Sequence, residues 1–384
     1  MIKMLSSLMF CFMALIIHPV SAMELPAAPP PQLAANAWIL MDAHSNQVLA
    51  EHNADLRIEP ASLTKLVTAY LVFNAITHGE LKLSDSFLPS DNAWRTGGSR
   101  MFIEPNKPVT VDELLHGMII QSGNDATVAL AERVGGSEAG FVSMMNAAAR
   151  QLGMTHSHFV TVNGLPDPQH YTTARDLGIL AVAISRDFPQ FSYLYSIKEY
   201  TYNHITQANR NRLLWNDPSV DGMKTGHTEA AGYCLIASAH RGARRLISVV
   251  LGTTSDALRA SQSQTLLNYG FQFFDGVQLY APNQPIKTLK VWKGKQAYIP
   301  VGIQHGLTLS VPHGRSKDLQ TTLSTKQPLL APLFAGQTIG TVTISLDGHV
   351  LVQYPLQALS NDAAASWLGK IWDDVRLKFN GNTH

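Results

Sequence analysis

The chain has 384 residues, 45% hydrophobic and 15% charged, the balance of a globular protein with room for two or three domains. Twenty-nine basic and 28 acidic side chains leave a formal net charge of +1. That excludes the strong basic excess a nucleic-acid partner calls for, and no run of like charges marks a solvated tail.

The first 22 residues, "MIKMLSSLMFCFMALIIHPVSA", carry an early Lys3, an apolar stretch from Leu8 to Ile17, and the small residues Val20 and Ala22. This is the layout of a secretory signal peptide cut after Ala22. The alternative, a permanent membrane helix, needs about 20 apolar residues and finds fewer here. Removing residues 1–22 leaves Cys234 as the one cysteine, so no internal disulfide is expected. Its apolar setting, "GYCLIASA", suits a buried structural thiol.

Residues 23–36 read as an extended Pro-rich lead-in. "AWILMDAHSNQVLAEHNAD" gives two β-like runs around Ser45 and Asn46, a hairpin. A helix opens after Pro60, in "EPASLTKLVTAYLVF". Another opens at Thr110, where Thr110 and Glu113 have capping-box spacing before Leu114, Leu115, Met118 and Ile119. "SGND" at 122–125 interrupts it, and helical pattern resumes to about Val134, through Phe141 to Leu152, and from Ala174 to Ile184. "VTVNGLPDPQHYT" between the last two is a loop by its Gly and Pro content. After Asp221 come short strand-like runs, "GMKTG", "GYCLIASAH" and "RRLISVVLG", then helical spacing in "ALRASQSQTLLNYGFQFF". Strands thus flank a helical middle, and the first and last can pair in one helix-packed sheet. From 277 to 359 the pattern is all strand, a small separate β-sandwich. The stretch from 360 on forms an amphipathic helix and tail. Trp367, Leu368, Ile371, Trp372, Val375 and Phe379 share one face, and Lys370, Asp373, Asp374 and Lys378 the other. That pattern fits a helix lying on a membrane surface, or one packed on the β domain or on a second copy.

Three polar clusters remain. Ser62 and Lys65 stand one turn apart at a helix start, where a serine near free backbone N–H groups can meet a lysine able to lose its proton if buried. Alone, S-x-x-K is common and is better read as a serine cap beside a lysine that reaches water. Ser122, Gly123 and Asn124 alone make a turn. "KTGHT", Lys224–Thr228, places Gly226 in a strand, which weakens the strand unless something approaches the backbone there.

Together, in the order S-x-x-K, S-x-N, K-T-G, these motifs resemble the penicillin-recognising serine transferases. "ASLTKL", "SGNDA", "NRNRLLW" and "VDGMKTGHTEAAGY" look like the type 5 class of low-molecular-mass penicillin-binding proteins, the D-alanyl-D-alanine carboxypeptidases. The likeness runs from about Ala37 through Phe274 and, more loosely, to the chain's end. It implies an α/β fold: a β-lactamase-like DD-peptidase domain (37–276) of antiparallel sheet and helices, a small all-β domain (277–359), and the terminal amphipathic helix. It implies Ser62 as nucleophile, Lys65 as base, and Ser122 as proton relay supported by Lys224. It implies Asn124 on the substrate's peptide amide and Thr225 on its terminal carboxylate, with Gly226 beside them. The N–H groups of Ser62 and His227 would form the oxyanion hole, and Arg210 and Arg259 would stand near the carboxylate. "TTSDALRAS" departs from the family's usual residues around Arg259.

The implied activity is removal of the last D-alanine from peptidoglycan stem pentapeptides through an acyl-enzyme, with β-lactams as covalent inhibitors. No cofactor or metal is implied, and His156 and His158 have metal-like spacing without an obvious third ligand. Export would place the protein in the periplasm, peripherally on the inner membrane. Two rivals stand. A serine β-lactamase would need a deacylating Glu around 160–172, and none occurs there. A catalytically silent wall-binding protein would not need the three motifs intact.

Overall fold

The computed structural model describes residues 28–380. The expected signal peptide, the first part of the lead-in and the last residues of the tail lie outside the described residues. The described chain divides into two compact units: residues up to Gln284 together with His305–Lys317, and Pro285–Gln304 with Asp318 onward.

The first unit is built on a five-stranded antiparallel sheet. Its strands are β1 (Ala37–Asp42), β2 (Val48–His52), β3 (Val220–Thr228), β4 (Gly232–Arg241) and β5 (Arg244–Thr253), in the order β2-β1-β5-β4-β3. The expected hairpin pairs Trp38 with His52 and Leu40 with Ala50, and Asn46 takes a left-handed φ of 58° in its turn. β1 then pairs with β5, so the first strand lies beside the last of the sheet.

Period-2 alternation sends Ile39 and Met41 to one face of β1 and Trp38 and Leu40 to the other. Helix α6 (Asp256–Phe273) covers the second face, packing Leu266 and Leu267 with Leu40, Leu246 and Val250. The first face receives α1 (Lys65–Thr77), α2 (Val111–Ile120), α3 (Asn124–Gly135), α4 (Glu138–Leu152) and α5 (Ala174–Asp187) in one continuous core. The Thr110–Glu113 capping box forms as its spacing predicts. In α1, Leu66, Val67, Thr68 and Ala69 are all buried, so the first turns of this helix have no wet side. A residue opening it is carried into the interior whatever its polarity.

Two strands of the all-β stretch, β6 (Phe274–Tyr280) and β9 (Leu307–Pro312), pair with each other and go with the first unit. The expected break after 276 therefore lies within β6. Buried Asp42 supplies a reason: its carboxylate accepts from Arg244 Nε at 2.9 Å and from Ser310 Oγ at 2.7 Å, tying β9 to β1 and β5. The second unit holds a five-stranded antiparallel sheet of β7 (Pro285–Lys290), β8 (Tyr298–Gly302), β10 (Gln320–Thr325), β11 (Thr338–Leu346) and β12 (His349–Ala358), ordered β7-β8-β12-β11-β10. It also carries α7 (Trp367–Asn380).

Candidate active site

Ser62 does not sit in α1 itself. It lies in a 3-10 turn, Ala61–Thr64, that leads into α1, with Lys65 as the first residue of the helix. Ala61 has φ 49°, a left-handed value that is costly for a residue with a Cβ. Backbone strain is thus stored directly before a half-buried serine.

Lys65 is buried, and its Nζ reaches Ser62 Oγ at 2.8 Å, Asn124 Oδ1 at 2.7 Å and the Asn163 carbonyl at 2.9 Å. As an ammonium it donates to all three. As an amine it keeps two donors and turns a lone pair to the Ser62 hydroxyl. Burial, with Arg210's charge adding to it and Asp125's opposing, lowers its pKa from the usual 10.5 to about 7. Both forms are accessible near neutral pH.

Ser122, with φ 62°, is buried in the connection between α2 and α3 and accepts from Lys224 Nζ at 2.9 Å. Burial and the charges of Lys65, Arg210 and Arg259 hold the Lys224 pKa well below its usual value. Asn124 opens α3 and gives one amide hydrogen to the Gly97 carbonyl at 2.7 Å. A second hydrogen on that nitrogen remains.

β3 is an edge strand of the sheet. At Gly226 an added Cβ would stand 3.1 Å from the Pro60 carbonyl and 3.3 Å from Ala61 Cβ, so the partner that needs this glycine is the Ser62 turn. Lys224 and Thr225 are buried, whereas His227 is exposed with its ring 4.1 Å from that of Tyr233.

Arg259 is placed inward. It is buried on α6, ion-paired with Asp256, and donates to the backbone carbonyls of Gly226 at 3.3 Å and Arg210 at 3.4 Å. Arg210 is exposed, and its charge acts on both buried lysines. Cys234 is a buried free thiol whose pKa burial pushes up to about 11, which makes it a poor nucleophile. Among the described residues, no group of three His, Cys, Asp or Glu side chains is set to hold a metal.

Two features of the site escape the sequence motifs. Asp125, fully buried, accepts from the backbone N–H groups of Met101, Phe102 and Ile103 at 2.9, 2.8 and 3.2 Å. It thereby staples the loop at 97–103 over Asn124. A Cβ at Gly98 would sit 2.6 Å from Asn124 Nδ2, so the loop closes only without a side chain there. The signals were present as an acid directly after S-G-N and a Gly-Gly pair. The second feature, the Asn163 carbonyl on Lys65, has no signal, because a backbone oxygen is the same in every residue.

With this geometry in place, similarity to known proteins is informative. The family described as D-alanyl-D-alanine carboxypeptidase matches residues 24–255, and the penicillin-binding protein 5 C-terminal domain matches residues 274–364. The chain belongs to the D-alanyl-D-alanine carboxypeptidase family. It is 43% identical over 358 residues to the D-alanyl-D-alanine carboxypeptidase DacC of Escherichia coli, covering 91% of this chain and 90% of the relative. The structure of penicillin-binding protein 5 from Haemophilus influenzae superposes with a TM-score of 0.84 at 38% identity, over 87% of this chain and 99% of that one. Penicillin-binding protein D2 from Listeria monocytogenes, solved in an ampicillin-bound form, matches 64% of this chain and 100% of its own, at TM-score 0.59 and 32% identity. As a member of this family the protein is a serine-type D-Ala-D-Ala carboxypeptidase, a hydrolase that penicillin acylates.

Proposed function

We propose that the protein trims the terminal D-alanine from peptidoglycan stem pentapeptides with Ser62 as its nucleophile. The observation that carries this is the 2.8 Å contact between Ser62 Oγ and a buried Lys65 whose pKa lies near 7. Lys65 as an amine takes the Ser62 proton while Oγ bonds to the carbonyl carbon between the two D-alanines. The N–H groups of Ser62 and His227 hold the oxyanion. Ser122, with Lys224 behind it, relays that proton to the departing D-alanine nitrogen as the C–N bond breaks, which returns Lys65 to its amine form. Water then adds to the acyl carbon and Ser62 leaves with a proton. The remaining Asn124 Nδ2 hydrogen meets the substrate's peptide group. Thr225 and Arg210 face the terminal carboxylate, and Arg259 holds the Gly226 and Arg210 backbone from behind.

A β-lactam would form the same ester with Ser62 and stay. The loop at 160–172 supplies no Glu to activate a deacylating water, which disfavours a β-lactamase. Assembled contacts among all three motifs disfavour a silent wall-binding protein.

Incubation with a stem pentapeptide should release one D-alanine by mass, without trimming the tetrapeptide further. Amidating the pentapeptide's C-terminus, and Thr225→Ala, should each lower kcat/KM by about 10-fold or more. Combined, they should cost little beyond either alone, since one contact is lost twice; additive losses would remove Thr225 from the carboxylate site.

We further infer export to the periplasm and peripheral attachment to the inner membrane through α7. Its apolar face is uncovered, with Trp367, Leu368 and Trp372 each at least 60% exposed. The acidic side is engaged: Asp373 accepts from the Lys293 backbone N–H at 2.6 Å, and Asp374 pairs with Lys293 Nζ at 2.6 Å. Among the described residues no helix is long and apolar enough to cross a membrane. Tryptophans on an open face suit the headgroup boundary. A chain ending at Ser360 should lose liposome flotation and keep activity on soluble peptide. Equal flotation of the truncated and mature full-length proteins would exclude α7 as the anchor.

A further inference from the structure

We propose that Thr64 and His170 are positioning residues that fix the peptide plane between Ala61 and Ser62, and through it the aim of the Ser62 N–H. This rests on the reading of Ser62 as nucleophile and oxyanion donor. The Ala61 carbonyl and the Ser62 N–H are opposite ends of one planar trans unit, so holding one sets the other.

The carbonyl end is held from two sides. Thr64 Oγ1 donates to the Ala61 carbonyl at 2.8 Å. Gly164 closes against the same oxygen so tightly that a Cβ there would lie 1.8 Å from it. A hydroxyl bonding three residues back is common in a first helical turn and means little alone. Here it is the last step of a chain.

The Thr64 hydroxyl has one hydrogen, spent on Ala61. Towards His170 Nε2, at 2.8 Å, it can only accept, so Nε2 carries the ring hydrogen. The other ring nitrogen agrees: Nδ1 accepts the backbone N–H groups of Val160 at 3.1 Å and Thr161 at 3.2 Å. His170 is buried, and burial lowers its pKa to about 4 against the opposing pull of Asp167. Asp167 and His158 are the titratable groups that act on it from its own loop, and among the described residues its hydrogen-bond partners, a longer 3.4 Å contact of Thr161 Oγ1 with Nδ1 included, carry no charge. The relay therefore runs one way at neutral pH: amides to Nδ1, Nε2–H to Thr64, Thr64 O–H to Ala61.

Ala61 is the strained member, at φ 49°. Without the relay the plane can rotate toward relaxed backbone, turning the N–H from the carbonyl it must polarise. The loop that supplies His170 and Gly164 also supplies the Asn163 carbonyl on Lys65. One loop thus sets both the base and the oxyanion donor.

The test compares Thr64→Val, which keeps the shape and loses the donor, with Thr64→Ser, which keeps the donor. Penicillin acylation of Thr64→Val should fall by about 10- to 100-fold, short of the full loss of an oxyanion donor. Affinity for a peptidyl boronic acid, which mimics the tetrahedral species, should fall by a similar factor. Binding of a product peptide ending in D-alanine should stay within about twofold, and Thr64→Ser should stay within about threefold of wild type in all three. The double variant Thr64→Val/His170→Leu should be no slower than the slower single, because both cut one chain.

Wild-type acylation by Thr64→Val, or product binding that falls as far as boronate binding, overturns the proposal, as does additivity in the double variant. A check on the unmodified protein covers poor folding of variants. 15N NMR of the histidines should show His170 neutral with its hydrogen on Nε2 from pH 5 to 9, and the Nδ1–H tautomer or protonation in that range overturns the relay. If penicillin does not label wild-type Ser62 at all, the underlying catalytic reading fails instead.

Discussion

Ser62→Ala should abolish penicillin labelling and lower D-alanine release by at least about 10⁴-fold, the scale at which removal of a serine nucleophile stalls covalent hydrolysis. The fold should survive. Ser62 is half-buried, and its hydroxyl contributes one hydrogen bond to Lys65, which keeps Asn124 Oδ1 and the Asn163 carbonyl as acceptors. A neutral bond of that kind is worth about 1 kcal/mol. The measurement is intact-protein mass after exposure to penicillin, paired with a thermal melt. Covalent adduct on a folded Ser62→Ala protein would place the nucleophile elsewhere. Cys234 is a poor alternative, since it is buried in β4 with its thiol bonded to the Ala231 carbonyl.

Local chemistry made much of the fold legible. The Ser45–Asn46 turn between two alternating runs, and the Thr110–Glu113 box ahead of an apolar stripe, each follow from neighbours a few residues apart. The three motifs were legible for a different reason: each alone fits a cap, a turn or a strand that something approaches closely, and only their joint order calls for a functional cause. Long-range pairing was not legible. Asp42 meets Ser310 across 268 residues, and no local pattern says that β9 belongs with β1. Arg259 was readable as an arginine near the site, but not its inward turn onto Asp256 and the Gly226 carbonyl. Gly226 is an intermediate case: its presence in a strand implied a close approach, and only the structure supplies the Ser62 turn as the partner. What stayed hidden is mostly backbone: the Asn163 carbonyl on Lys65 leaves no mark in composition or spacing, and the amides bound by Asp125 are marked only by the acid after S-G-N and the Gly-Gly pair.

The activity should also carry the titration of Lys65. Its folded pKa, about 7, lies below the 10.5 of the free side chain, chiefly through burial. Below pH 7 it is an ammonium with no lone pair for the Ser62 proton. Above pH 7 it is an amine that can take it. Acylation should therefore rise with pH through about 7 and then level. Lys65→Met should lose about 10²- to 10⁴-fold of the acylation rate, the usual share of a positioned base, and the rising limb with it. Lys65→Arg separates charge from basicity: a guanidinium keeps the cation near Asn124 but stays protonated, so it should be as slow as Lys65→Met.

The same shift acts on stability. Between about pH 7 and 10.5 the unfolded lysine holds a proton that the folded one has released, so wild-type stability should gain with rising pH across that window relative to Lys65→Met. Urea midpoints of the two proteins at pH 6 and pH 9 measure this difference without reference to catalysis. A midpoint gap that stays constant, together with an Arg variant that acylates at the wild-type rate, would mean that Lys65 remains charged and acts by electrostatics alone. The proton acceptor would then have to be sought at Ser122 and Lys224, where burial and neighbouring cations depress a second lysine.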